Sequence, residues 1–184
     1  MSYVLDQPLL QMCFAVDDVD EACKRWSEAV GAGPWARYPA VEFKSLNFRG
    51  QPNDMQQGGA VGYWGPIEIE LYRRNDGSPA HCVFPNFGEP AFHHLCMMVK
   101  PGQFDNEIKR LEGLGYKLVW DCVVETGKDQ CRICWIDTRA LNGAMIELYD
   151  YNETMLQNKQ GMRLAHENWD GKELYLSYTP DPEK

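Results

Sequence analysis

One histidine, one glutamine and two glutamates are set into otherwise apolar stretches of this chain. His94 lies in FHHLCMMV (Phe92 to Val99) and Gln11 in LLQMCFAV (Leu9 to Val16). Glu70 lies in EIELYR (Glu68 to Arg73) and Glu147 in MIELYD (Met145 to Asp150). Aligned, the first two stretches put His94 on Gln11 and Cys96 on Cys13, and the last two put Glu70 on Glu147. Carboxylates and an imidazole can carry protons or hold hard cations. A buried, unpartnered carboxylate is costly, so two at equivalent repeat positions call for a cation nearby. The near-constant offset between the copies marks a duplicated structural unit.

Strands must present these residues, and the surrounding pattern supplies them. Leu9 to Val16 is short, apolar and bounded by turn signals, as a buried strand should be. Asp17 or Asp18 can cap the following helix, DVDEACKRWSEAV, and Gly31 can stop it. Val19, Ala22, Trp26 and Val30 form the apolar stripe of a helix lying on a sheet. Strands are expected over Ala40 to Phe48, Ala60 to Trp64 and Ile67 to Arg73. The order then repeats: a strand over Phe92 to Val99, a helix, FDNEIKRLEGL, ending at Gly115, and strands near Tyr116 to Val124, Gln130 to Asp137 and Ala144 to Asp150. The chain therefore divides into a first βαβββ module (7–74), a linker (75–90), a second βαβββ module (91–151) and a C-terminal extension (152–184). In the extension a helix is expected to break at Gly161, and KELYLSY reads as an edge strand.

Side chains alternate across a strand, which sorts the polar residues onto one face. Met12, Phe14 and Val16 share a face, as do Leu95, Met97 and Val99, Ile69 and Leu71, and Ile146 and Leu148. These apolar faces belong under the helices. Gln11, Glu70, His94 and Glu147 then project from the helix-free face and converge if the two units curve around a common cleft. By the same parity His93 falls on the helix side, where a structural role is expected.

Composition narrows the class. The 184 residues are 44% hydrophobic and 24% charged, as in an ordinary globular protein able to bury a full core. A net charge of −9 argues against a nucleic-acid partner. No long apolar run suggests a membrane span, and the N-terminus lacks the pattern of a signal peptide. Seven scattered cysteines fit reduced thiols in a cytoplasmic protein better than a disulfide framework. Cys131 and Cys134 have CxxC spacing, but on a strand they face opposite sides, and His81 and His166 are given no role.

HHLCMMV, IDTRALNGAMIELYD and their first-half counterparts resemble the vicinal oxygen chelate superfamily over about residues 7 to 151. That superfamily includes glyoxalases, methylmalonyl-CoA epimerases, extradiol dioxygenases and bleomycin-resistance proteins. The resemblance implies an α+β fold in which two βαβββ modules form a curved mixed sheet around a metal-binding cleft. It implies Gln11, Glu70, His94 and Glu147 as ligands of a divalent metal ion, with Zn, Mn, Co, Ni and Fe not distinguished. It also places Glu42, in AVEFKS, where epimerases carry a catalytic glutamate, and it implies a homodimer or a cleft formed within one chain.

An imidazole, an amide oxygen and two carboxylates suit an ion that keeps sites open for substrate. The expected activity is that of a lyase or isomerase abstracting a proton alpha to a carbonyl or thioester through a metal-stabilised enediolate. Glu147, Glu70 and Glu42 are the candidates to move that proton. The competing readings are a metal-free binding protein of the bleomycin-resistance type and an extradiol dioxygenase. The latter is disfavoured because Gln11 stands where a second histidine is required. Tyr63, Trp64, Tyr72, Trp120, Trp135 and Tyr149 are read as packing. Arg37, Arg73, Arg74, Lys44 and Arg139 form no recognisable motif for a glutathione or CoA tail, so the small-molecule substrate stays open.

Overall fold

The computed structural model describes residues 9–82, 91–127 and 129–176. The first module runs β1 (Gln11–Ala15), α1 (Val19–Val30), β2 (Ala36–Tyr38), β3 (Phe43–Phe48), β4 (Gln51–Pro52), β5 (Gln57–Trp64) and β6 (Ile67–Arg74). The second runs β7 (Ala91–Met98), α2 (Phe104–Gly113), β8 (Lys117–Glu125), β9 (Gln130–Asp137), a one-turn α3 (Arg139–Asn142) and β10 (Met145–Tyr149). Helix α4 (Glu153–Glu167) follows. Among the described residues no helix is long and apolar enough to cross a membrane.

All strands among the described residues belong to one mixed sheet, ordered β2-β5-β6-β1-β7-β10-β9-β8-β3-β4. The modules join where β1 pairs antiparallel with β7, and each of these pairs parallel with its own module's ELY strand, β6 or β10. The expected strand over Ala40 to Phe48 is instead split. Ala36 to Tyr38 pairs with β5, whereas Phe43 to Phe48 crosses to pair with β8 of the other module. Pro39, which has no N–H to donate, ends the first ladder.

This crossing determines the shape of the sheet. Laid flat, β2 and β3 would stand eight strand spacings apart, roughly 38 Å. The chain from Tyr38 to Phe43 can span no more than about 19 Å. The sheet must therefore curl until its ends approach, which makes the face away from α1 and α2 the inside of a half-barrel.

Three apolar cores follow among the described residues. Under α1, Val19 and Cys23 pack with Ile69 and Leu71, and under α2, Phe104, Ile108 and Leu111 pack with Ile146 and Leu148. Inside the curl, Leu46, Tyr72, Trp120, Trp135 and Met145 form the third. Asp18 caps α1 by accepting from the Glu21 N–H, and Gly31 ends it at φ 73°.

Two further sequence expectations need correction. Helix α4 runs through Gly161 to Glu167, because one glycine costs a helix only about 1 kcal/mol and α4 is held by its packing. His93 does not lie on the helix side. The β1–β7 register shifts between Cys13 and Phe14, with Cys13 opposite His94 and Phe14 opposite Phe92. His93 is the extra residue of a bulge, and the bulge turns it inward. The KELYLSY stretch runs partly outside the described residues; within them, Tyr175 makes a lone parallel bridge to Trp35 beside the β2 edge.

Candidate metal centre

Strand register places the polar residues in two rows across β6, β1, β7 and β10. One row is Glu68, Gln11, Cys96, Glu147, and the next is Glu70, Cys13, His94, Met145. The duplication is visible here, since exchanging the modules swaps Gln11 with His94 and Glu70 with Glu147. Cys13 and Cys96 sit between the larger side chains, and a small residue there lets the flanking groups meet over it. His94 Nε2 lies 3.3 Å from Glu70 Oε2 and 3.2 Å from Glu147 Oε2. Gln11, Glu70 and Glu147 line one cavity of about 380 Å³ inside the curl. All four residues are at least nine-tenths buried, at 2% for Gln11, 9% for Glu70, 1% for His94 and 5% for Glu147.

Each of the four is held by one atom and presents another. Gln11 Nε2 donates to Glu68 Oε1 at 2.9 Å. Glu70 Oε1 accepts from the Tyr38 hydroxyl. Glu147 Oε1 accepts from Trp135 Nε1 at 2.8 Å. His94 Nδ1 lies 2.8 Å from His93 Nδ1, and His93 Nε2 lies 2.7 Å from the His81 carbonyl. That carbonyl only accepts, so His93 carries its proton on Nε2, accepts at Nδ1 from His94, and leaves His94 Nε2 facing the carboxylates.

Five buried side-chain atoms among the described residues have no hydrogen-bond partner: Gln11 Oε1, His94 Nε2, Glu147 Oε2, Gln57 Oε1 and Trp120 Nε1. Four of their residues line the cavity, and His94 touches two of the carboxylates that do. Buried polar atoms are ordinarily paired. Such a concentration fits a site built to receive a cation and the polar groups of a ligand, with the partners on the far ends acting as the outer supports that metal ligands need.

The charges of the site are mutually dependent. Burial alone would pull the His94 imidazole down, but Glu147 and Glu70 outweigh it and raise the group to about 9. Burial pushes both carboxyls up, and His94 more than offsets this, leaving them below their ordinary range. His93 is pulled down to about 3 by burial and by its neighbour His94, so it stays neutral. Donor atoms of Cys13, His93 and His94 also lie within 4.8 Å of one another. There the imidazoles spend their Nδ1 atoms on each other, and burial and Glu70 push the Cys13 thiol well up, away from the thiolate a metal would need.

Glu42 is not brought to this cluster. Val41 and Phe43 line the cavity, while Glu42, in the segment just before β3, is exposed. Cys131 and Cys134 do face opposite sides, one in the inner core and one under α2, and all seven cysteines are free. The basic residues noted in the sequence are committed elsewhere, as Arg37 to Asp20 and Lys44 to Glu125 show.

Sequence reasoning missed four supports: Glu68, Lys159, Tyr38 and, as more than packing, Trp135. Glu68 had a signal, because it shares the parity of Glu70. Tyr38 had none, since its approach depends on Gly59, where a Cβ would lie 2.6 Å from the Tyr38 hydroxyl and 2.2 Å from the Leu71 carbonyl oxygen.

Comparison with known proteins places the fold and the family. Residues 10–135 match the sequence profile of the glyoxalase/bleomycin resistance protein/dioxygenase superfamily. No curated protein matches the sequence. Among solved structures, the fold is similar to a methylmalonyl-CoA epimerase from Mycobacterium tuberculosis at TM-score 0.54 and 20% identity, covering 85% of this chain and 95% of that one. A hypothetical protein from Bacillus halodurans is similar at TM-score 0.55 and 16% identity, covering 80% and 96%. At these identities the likeness establishes the fold alone.

Proposed function

Because the chain belongs to the glyoxalase/bleomycin resistance protein/dioxygenase superfamily, we propose that it is a divalent-metal-dependent lyase or isomerase. The reaction is removal of a proton from the carbon beside a carbonyl or thioester. What supports the reading is the pattern of held and presented atoms: Gln11 Oε1 is buried with no hydrogen-bond partner, and His94 Nε2 and Glu147 Oε2 meet only each other and Glu70 at 3.2–3.3 Å, while their opposite ends are anchored. Gln11, Glu70, His94 and Glu147 would hold the ion, and Zn²⁺, Mn²⁺, Co²⁺, Ni²⁺ and Fe²⁺ all accept such a set. When bound, the ion would polarise the substrate's carbonyl oxygen and offset the negative charge that grows as the proton leaves.

The remaining work falls to the chain. Glu70 is the base in this reading, being the more accessible carboxylate, with its side chain 11% exposed against 6% for Glu147. Tyr38 holds its far oxygen so that the near one faces the cavity. Val61, Phe43 and Ile133 pack against the substrate's apolar body, while Gln57 Oε1 and Trp120 Nε1 are free to pair its polar groups.

A second reading rests on His94 already touching both carboxylates, so that the site can neutralise itself with a protonated imidazole. The protein would then be a metal-free small-molecule binder of the bleomycin-resistance kind. Elemental analysis of protein purified without chelators separates the two. The enzyme reading expects one divalent ion per chain, lost in a His94→Ala/Glu147→Ala variant, and solvent deuterium exchange into an α-hydroxythioester, acyl-CoA or hydroxyketone. Glu70→Gln should weaken metal binding and, even when reloaded with the ion, lose exchange by about 10²-fold or more. No metal even after supplementation would leave the binder reading.

A further inference from the structure

The C-terminal helix reaches further into the site than its place in the chain suggests. Lys159, midway along α4, passes beside the Tyr149 ring, with Nζ 5.3 Å from the centroid, and ends 2.5 Å from Glu68 Oε1. The same oxygen accepts from Gln11 Nε2 at 2.9 Å. Both members of the ion pair are nine-tenths or more buried, Lys159 at 9% exposure and Glu68 at 3%.

The donor and acceptor chemistry of this chain has one consistent arrangement. An ammonium only donates and a carboxylate only accepts. Held by Lys159, Glu68 can be met from β1 only by the NH₂ end of the Gln11 amide. The amide oxygen is then left on the other side, where it is buried and unpartnered. An amide nitrogen cannot bind a cation, so the orientation decides whether Gln11 is a ligand at all.

We infer that Lys159 and Glu68 are positioning residues that turn the Gln11 amide with its oxygen toward the cation site, so that α4 selects the donor atom that β1 presents. The inference rests on the reading of Gln11, Glu70, His94 and Glu147 as a cation site. It extends that site beyond the two βαβββ modules into the C-terminal extension. Replacing Glu68 by glutamine breaks the logic, because the new amide keeps its oxygen on Lys159 and donates its NH₂ to the Gln11 oxygen that the ion needs. Exchanging the two residues restores it: an amide at position 68 donates to a carboxylate at position 11, whose second oxygen faces the site.

The test is Co²⁺ affinity, read by calorimetry and by the visible absorption of the bound ion, in the full-length protein. Glu68→Gln and Lys159→Met should each bind Co²⁺ about 10–100-fold more weakly, the range typical of lost outer supports. The exchange variant Gln11→Glu/Glu68→Gln should recover most of that loss. A purely structural role would lower thermal stability and leave Co²⁺ affinity unmoved. Wild-type affinity in both Glu68→Gln and Lys159→Met, or an exchange variant no better than Glu68→Gln, overturns the inference. Should Lys159→Met fail to fold, the comparison of Glu68→Gln with the exchange variant decides alone. A wild-type protein that binds no Co²⁺ overturns the cation-site reading instead.

Discussion

Gln11, Glu70, His94 and Glu147 each have two ends in different surroundings, one hydrogen-bonded to a neighbouring side chain and one turned toward the centre of the cluster. Trp135 shows how a residue that counts as core can serve this arrangement. Its ring stacks on Trp120 at a centroid distance of 4.2 Å, while its N–H holds Glu147. Trp135→Phe keeps most of the stack and removes the donor. We expect a stability loss of about 1–3 kcal/mol from the unpaired Glu147 oxygen, read by urea denaturation. Divalent-ion affinity should fall about 10–100-fold, and unchanged affinity would show that the indole does not hold Glu147 in place. His93 works through its neighbour in the same way, because the His81 carbonyl fixes which of its nitrogens carries the proton.

Elements place those residues by departing from regularity at a few points. The bulge in β7 turns two successive histidines inward, which an ideal strand cannot do. The crossing from β2 to β3 brings Tyr38 and Phe43 to the same cavity from opposite ends of the sheet. Helix α4 packs on β5 and the inner core through Met155 and Leu156, and His166, near its end, binds the Gly33 carbonyl at 2.5 Å. Gly161 contributes nothing to this packing: it is exposed, and a Cβ there meets nothing within 4 Å. Gly161→Ala should therefore raise stability by about 0.5–1 kcal/mol, measured by denaturant unfolding. A loss instead would mean that α4 needs flexibility at that turn.

At the scale of the whole molecule, the proposed cation site lies where both modules meet, so an ion bound there would tie the two halves together. A ligand that binds only the folded state at one hundred times its Kd stabilises by about 2.7 kcal/mol. For a chain of this size that is a rise in Tm of roughly 5–10 °C. Adding Zn²⁺ or Co²⁺ should produce such a rise and a chelator should reverse it, whereas equal melting with and without the ion would speak against a buried site. Much of this design was legible from periodicity alone. Alternation along β1, β6, β7 and β10 sorted Gln11, Glu70, His94 and Glu147 onto one face, and the repeat said that the faces come in pairs. Those are properties of neighbours in the chain, read correctly because side-chain direction in a strand is set locally. Only the tertiary structure decided the rest. Whether residues 40–48 stay with their own module depends on a distant free edge at β8. The orientation of His93 depends on one extra residue in a ladder, which reverses the parity of everything beyond it. Glu68 gains its meaning from Lys159, far away in sequence and on a helix whose pattern gives no hint that it ends inside the barrel. Local patterns carry no record of such pairings, because their energy exists only once the sheet has curled and excluded water from its inner face.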